Sequence, residues 1–401
     1  MLKKVVTLYK NAYAGLPRNA WLLALADFIN RSGFMVLVFL NIYLTRRLNL
    51  SLLQAGHILS GYGIGAITGG YLGGYLSDRI GARKVMIWSL ALSGVLLIAT
   101  SRAREYGVVF GLIFLYGLIA TALYPANDTA MSRFCPNGIR AKGFALRRLA
   151  SNLGITIGPV VGGYLILLDY KWLFWIDGFT SLAAAAVIAL WLKPRVAAST
   201  APKPENPPAA RSPWADGIYL RFLGLFLILV TVFAQIFSTF PLYLYSNYGL
   251  KENQIGPLWA VNTLLIVTVE MVLLHALRKR SWMNIIALGA LLMGTGFALL
   301  PFGRSYLYAA LTVSIWTFGE ILTMPLTSTV IVARAGASAG RYLGLLSLTH
   351  SLSMFIAPLL GNWLLGSAGG TALWLIAGGA AAFSGFGFWL LRRKMVLTSG
   401  I

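Results

Sequence analysis

Three carboxylates lie inside long apolar stretches of this chain: Asp27 in LADFINRSGF (25–34), Glu270 upstream of RKR (278–280), and Glu320 in WTFGEILTMP (316–325). A charge in hydrocarbon is unfavourable by roughly 3 to well over 10 kcal/mol, so such groups face a wet cavity, pair with an opposite charge or bind a proton. Asp27 and Arg31 are four apart, which on a helix puts them on one face within reach of each other, with Asn30 beside them. That set reads either as the polar lining of a cavity or as an ion pair fixing one helix against its neighbour. Glu320 has no basic residue within two helical turns. Burial favours the neutral form of a carboxyl, so a group in this setting can bind and release a proton as its surroundings change; the alternative is a permanently protonated side chain bonded to a neighbouring helix. Glu270 reads first as a partner for Arg278, Lys279 and Arg280.

The elements that must position these groups are membrane helices. The chain has 401 residues, 58% of them hydrophobic and 11% charged, with a mean hydropathy of +0.75, well above an ordinary soluble domain. Runs of about 20 apolar residues, enough to cross the hydrocarbon as helix, recur from end to end. They predict twelve spans, near 20–45, 53–76, 84–101, 107–131, 143–168, 172–192, 215–245, 255–277, 282–301, 305–333, 342–366 and 370–392. The first is a full span without a small-residue cleavage site, so it is expected to stay in the mature protein.

The net charge of +22 would suit nucleic acid, but its distribution argues against that partner. Basic residues gather in alternate loops, as in RFCPNGIRAKGFALRR (133–148), while 366–371 carries no charge. This asymmetry places both termini in the cytoplasm and assigns the basic residues to topology and to anionic lipid headgroups. A single cysteine and three scattered histidines offer no intramolecular disulfide and no metal spacing. No phosphate-binding loop or Ser–His pairing is present, so no cofactor and no enzymatic activity are expected.

KPRVAASTAPKPENPPAARSP (193–213) has the composition of a flexible linker and cannot span lipid. It separates an expected six-helix bundle over 1–192 from a second over 215–401, with 193–214 as a cytoplasmic linker. Sliding the sequence on itself by about 200 residues sets Pro125 over Pro325 and Pro159 over Pro358. Two bundles related by an axis along the membrane normal, with a cavity between them, would carry such a repeat.

The most specific pattern is GYLSDRIGARK (74–84) after the second span. Gly74 permits close approach of helices, Asp78 and Arg79 put opposite charges at a helix end, Gly81 lets the chain reverse, and Arg83 and Lys84 are held at the inner surface. This resembles the signature loop of the major facilitator superfamily between its second and third helices. The resemblance implies a cytoplasmic latch in which Arg79 reaches an acid at the inner end of the fourth helix, where Asp128 stands. The second half has Arg278 where Asp78 stood, a degenerate latch. In the fifth span Gly154, Gly158 and Gly162 lie four apart, with Pro159 and Gly163 between and beside them. The stripe allows a backbone to approach, and it resembles the pattern associated in that superfamily with exporters that exchange substrate for protons.

The first-span motif is also similar to the start of the proton-coupled oligopeptide transporters, where a tenth-helix Glu before a Pro also occurs. It departs from them at Asp27 and Asn30, which stand for two glutamates, and at SGFMVL after Arg31. The resemblance as a whole implies a secondary transporter of the twelve-helix drug/proton antiporter branch in the cell inner membrane. It would be a monomer that moves protons and a small amphipathic molecule by alternating access. Proton-coupled uptake of a metabolite, peptide or siderophore-like ligand is the rival direction, and a lipid scramblase or sensor is the rival class.

Overall fold

The computed structural model describes residues 15–135, 139–192 and 212–396. Every regular element among them is helical. In chain order these are α1 (Arg18–Ser32), α2 (Val36–Ile42), α3 (Leu52–Leu76), α4 (Ala82–Thr100), α5 (Tyr106–Thr121), α6 (Leu123–Phe134), α7 (Arg140–Ile166) and α8 (Lys171–Trp191). There follow α9 (Gly217–Phe233), α10 (Thr239–Tyr248), α11 (Glu252–Leu277), α12 (Trp282–Leu299), α13 (Tyr306–Ala335), α14 (Ala339–Ser367) and α15 (Gly369–Val396). Most of the expected linker, 193–211, lies outside the described residues.

Eleven segments among the described residues are long and apolar enough to cross a membrane. One of them, Leu52–Thr100, has 49 residues, which is about 74 Å of helix and more than twice the hydrocarbon thickness. It is divided at Gly81, whose φ of +91° is a conformation that a side chain would strain. The chain therefore changes direction between α3 and α4 where the sequence offers the one residue type suited to it.

Contacts divide the protein into two compact units, Met1–Val38 with Ile64–Val196, and Phe39–Gly63 with Ala197–Ile401. In the first unit α1 packs on α7 and α8, and α4 packs on α8. In the second, α9 packs on α14 and α15, and α12 packs on α15. The same order of partners thus recurs about 200 residues apart. Pro159, Pro325 and Pro358 all lie inside helices.

Both leading spans are broken at matching places. The first, expected as one helix over 20–45, is interrupted at Gly33–Met35, between α1 and α2. The other, expected over 215–245, is interrupted by a tight turn at Ala234–Phe237, between α9 and α10. Gly33 lets α8 approach the first bend, since an added Cβ there would collide with Thr180 Oγ1 and lie 3.0 Å from Asp177 Cα. In the second bend Gln235 Oε1 accepts from the Ser238 and Thr239 hydroxyls at 3.0 and 2.7 Å, so a neutral amide holds it.

The core of the first unit is aliphatic and small, with Leu23, Met86, Leu90, Ala126, Ala184 and Ile188 buried together. That of the second is aromatic. Phe297 stacks on Trp316 at 5.7 Å and on Trp374 at 5.5 Å, pairs worth about 0.5–1.5 kcal/mol each beyond their burial. At one end of this unit Asp216 takes two hydrogen bonds from Arg334, Nε to Oδ2 and Nη2 to Oδ1, both 2.7 Å. Tyr342 adds a third at 3.1 Å, and Arg334 also donates to the Lys394 carbonyl at 3.1 Å. The start of α9, the end of α13, the start of α14 and the end of α15 are tied together by this buried group. Burial raises the Asp216 carboxyl, but the Arg334 guanidinium and the Tyr219 amide outweigh it and hold it below its usual range.

Candidate functional site

Glu320 sits near the middle of α13, a helix of 30 residues whose start is capped by Ser305, its hydroxyl accepting from the Tyr308 amide at 3.2 Å. Two features fix its place. Gly319 faces α12 so closely that an added Cβ would lie 2.5 Å from the Met293 nitrogen, and Trp316, one turn earlier, is wedged between Phe297 and Phe240. Pro325 then removes the hydrogen bond that the Ile321 carbonyl would accept.

The Glu320 side chain is half-buried, and its Oε2 accepts from Asn262 Nδ2 of α11 at 2.8 Å. The same Asn262 nitrogen donates to Thr317 Oγ1 at 3.0 Å. An amide is an apt partner for a group that changes protonation: it donates to a carboxylate and, rotated, accepts from a carboxylic acid. Nothing about Asn262 in the sequence set it apart from other polar residues in the eighth span, so this partner was not found there. Glu270 is buried on the same helix, eight residues beyond Asn262.

In the first unit Asp27 is buried, with the Ser151 hydroxyl of α7 bonded to it and Arg31, Arg147 and Asp128 acting on it electrostatically. Arg31 lies over the rings of Phe34 at 5.6 Å and Tyr124 at 5.0 Å. Asn30 donates to Ser181 of α8 at 3.0 Å. Asp27 and Arg31, joined in the sequence by their spacing, are thus part of a wider group that includes an acid on α6 and an arginine on α7.

That group depends on the glycine face of α7. An added Cβ would lie 2.5 Å from Arg31 Cβ at Gly154, 2.9 Å from the Phe34 carbonyl at Gly158 and 2.7 Å from Met35 Cβ at Gly162. The stripe lets α1 lie against α7, so the residues resembling the exporter pattern are those that seat Arg31. Pro159 and Gly163 are buried in the same helix.

The loop at 74–84 is organised differently from the latch its resemblance implies. Asp78, Arg79 and Lys84 are exposed, and Arg79 lies over the Tyr75 ring at 4.8 Å. Asp128 is ion-paired with Arg147. Arg83 donates to the Ala189 carbonyl at 2.5 Å, capping the end of α8. Close approach of α3 falls on Gly65, Gly69 and Gly73, which face α5 and Ala122, whereas the nearest atom to an added Cβ at Gly74 is Pro125 Cβ at 3.9 Å.

Asp177 of α8 was not singled out from the sequence. It is 3% exposed, and its Oδ2 accepts from the Val36 amide at 3.3 Å. The signal was present, since an acid lies in the apolar run WLFWIDGFTSL, but its partner is 141 residues away.

A model of the Major Facilitator Superfamily matches residues 20–355. The chain is 24% identical to the MFS-type transporter YqjV of Bacillus subtilis, over 86% of this chain and 85% of that protein. It is 22% identical to a Na(+), Li(+), K(+)/H(+) antiporter of Planococcus maritimus, over 83% and 86%. Its fold is similar to a crystal structure of a mutant of the peptide transporter POT in complex with sulfate, with a TM-score of 0.82, 18% identity and 97% of each chain covered. With its paired helical units, its broken leading spans and a family match over most of its length, this chain belongs to the major facilitator superfamily.

Proposed function

We propose that the protein is a proton-coupled secondary transporter that exports a small amphipathic molecule by alternating access. The observation that carries this reading is Glu320, an acid in mid-helix held by the Asn262 amide at 2.8 Å. Twelve crossings, and so both termini on one side, follow if Leu52–Thr100 contributes two of them; the basic residues of alternate loops support the cytoplasm as that side, and the bacterial inner membrane is the expected location. Direction is supported by the Gly154, Gly158 and Gly162 face packed on α1 and by a relative whose name is that of an antiporter.

Protonation of Glu320 removes a negative charge and turns an acceptor into a donor. Substrate and proton then bind the inward and outward states differently, which is the condition for either to shift the equilibrium. Asp27, ringed by Arg31 and Arg147, serves as a second polar station in the first unit, and Glu270 as a third acid on the helix of Asn262. Asp78, Arg79, Gly81, Arg83 and Lys84 form the gating loop, with Asp128 free to exchange Arg147 for a loop arginine as the state changes. The test is proton flux in proteoliposomes driven by cationic, neutral and anionic candidates. Export by exchange requires protons and substrate to move in opposite directions, and movement in the same direction would establish uptake instead.

A further inference from the structure

The bend between α1 and α2 is held by a group that titrates. At Gly33–Met35 the helix stops: the Phe34 amide turns back to the Arg31 carbonyl at 3.0 Å and the Met35 amide to Gly33 at 2.6 Å. The Val36 amide is left for Asp177 Oδ2 at 3.3 Å, and Met35 also bonds that carboxyl. The equivalent bend in the second unit is held by Gln235, which cannot ionise. The two halves therefore use the same bend with different chemistry, one neutral and one acidic.

Asp177 is enclosed. Arg31 of α1 is the charged group that acts on it electrostatically. α4 meets this stretch of α8 through Gly94 and Ile98 at Gly178, and α7 meets α8 through Gly162 at Leu173. Beyond the bend the chain leaves the first compact unit, at Val38. The bend thus lies directly before the segment Phe39–Gly63, which packs with the other unit's elements through Asn41 and Asn362 at 3.0 Å and through Ser60 and the Phe355 carbonyl at 2.8 Å.

We propose that Asp177 is a further proton-binding site of the transporter and that its protonation releases the Met35 and Val36 amides, freeing the bend between α1 and α2. The proton enters on one carboxylate oxygen, which changes from acceptor to donor, and the amides lose a charged acceptor. This deepens the proton-coupled reading above and rests on it for its role in transport. The site itself does not depend on Glu320.

The test is hydrogen exchange of the peptide spanning Met35 and Val36, corrected for the intrinsic rate, in purified full-length protein at roughly pH 5 and 9. Protection is expected to fall about tenfold or more at the lower pH. In Asp177→Asn, which keeps an acceptor oxygen and the volume but cannot ionise, protection should be the same at both. Glu320→Gln should behave as wild type. If Asp177→Asn does not fold, Asp177→Glu keeps a titrating group and should retain the pH dependence at a shifted midpoint. Wild-type protection equal at the two pH values, or a pH dependence that persists in Asp177→Asn, would overturn the proposal. No substrate or gradient is used, so this failure is distinct from a failure of proton-coupled transport.

Discussion

Asn262 on α11 donates one hydrogen bond to Glu320 and another to Thr317, both on α13, at 2.8 and 3.0 Å. One partner of the carboxylate is therefore an uncharged amide, a group that serves either protonation state at similar cost.

Replacing Asn262 should therefore uncouple the site without unfolding the protein. Asn262→Leu removes a hydrogen bond to a charged group, about 1.5–3 kcal/mol, and substrate-driven proton flux should fall about tenfold or more. Asn262→Gln, which keeps the amide on a longer stem, should recover part of it. Flux unchanged in the leucine variant would remove Asn262 from the mechanism.

The glycine face of α7 makes a contrasting pair of expectations. Gly158→Ala forces a Cβ to within 2.9 Å of the Phe34 carbonyl, and overpacking of this kind costs about 1–3 kcal/mol. Its melting temperature and transport rate should both drop. Gly74→Ala meets only Pro125 at 3.9 Å and should melt like wild type.

Asp216 and Arg334 set an acid limit on stability. The Asp216 carboxyl is depressed in the folded protein, so its contribution is complete above the unfolded value near pH 4 and is lost as pH falls through the lower folded value. Asp216→Ala leaves Arg334 buried without its carboxylate and should cost about 3–5 kcal/mol at neutral pH. Replacing both by apolar residues of similar volume should cost less than the single change. Melting curves in detergent between neutral and acid pH measure both effects.

Arg147, rather than Arg79, should couple to Asp128 in this state. A double-mutant cycle on melting should return about 0.2–1 kcal/mol for Asp128 with Arg147 and nothing measurable for Asp128 with Arg79, whose guanidinium lies over Tyr75.

Much of the fold could be read along the chain because membrane helices are encoded locally. Apolar runs of fixed length, the prolines at matching registers and Gly81 at the reversal each carry their meaning within a few residues. The broken leading spans were read as continuous, since a glycine or a glutamine in an apolar run does not by itself mark a bend. What fixes each bend is a tertiary contact, Asp177 at the first and the bond from Gln235 to the Ala357 carbonyl at the second. The site shows the same division. Asp27, Arg31 and Glu320 stand out by their cost in lipid, while Ser151, Arg147 and Asn262 are unremarkable polar residues until the fold brings them to those acids.

The central claim is that Glu320 binds the coupling proton. The most direct measurement is substrate-triggered proton movement in proteoliposomes containing a pH-sensitive dye, with wild type and Glu320→Gln compared at equal incorporation. The account predicts flux in the wild type, in the direction opposite to substrate, and its loss in a variant that still binds substrate and melts normally. Full proton-coupled transport by Glu320→Gln would contradict it.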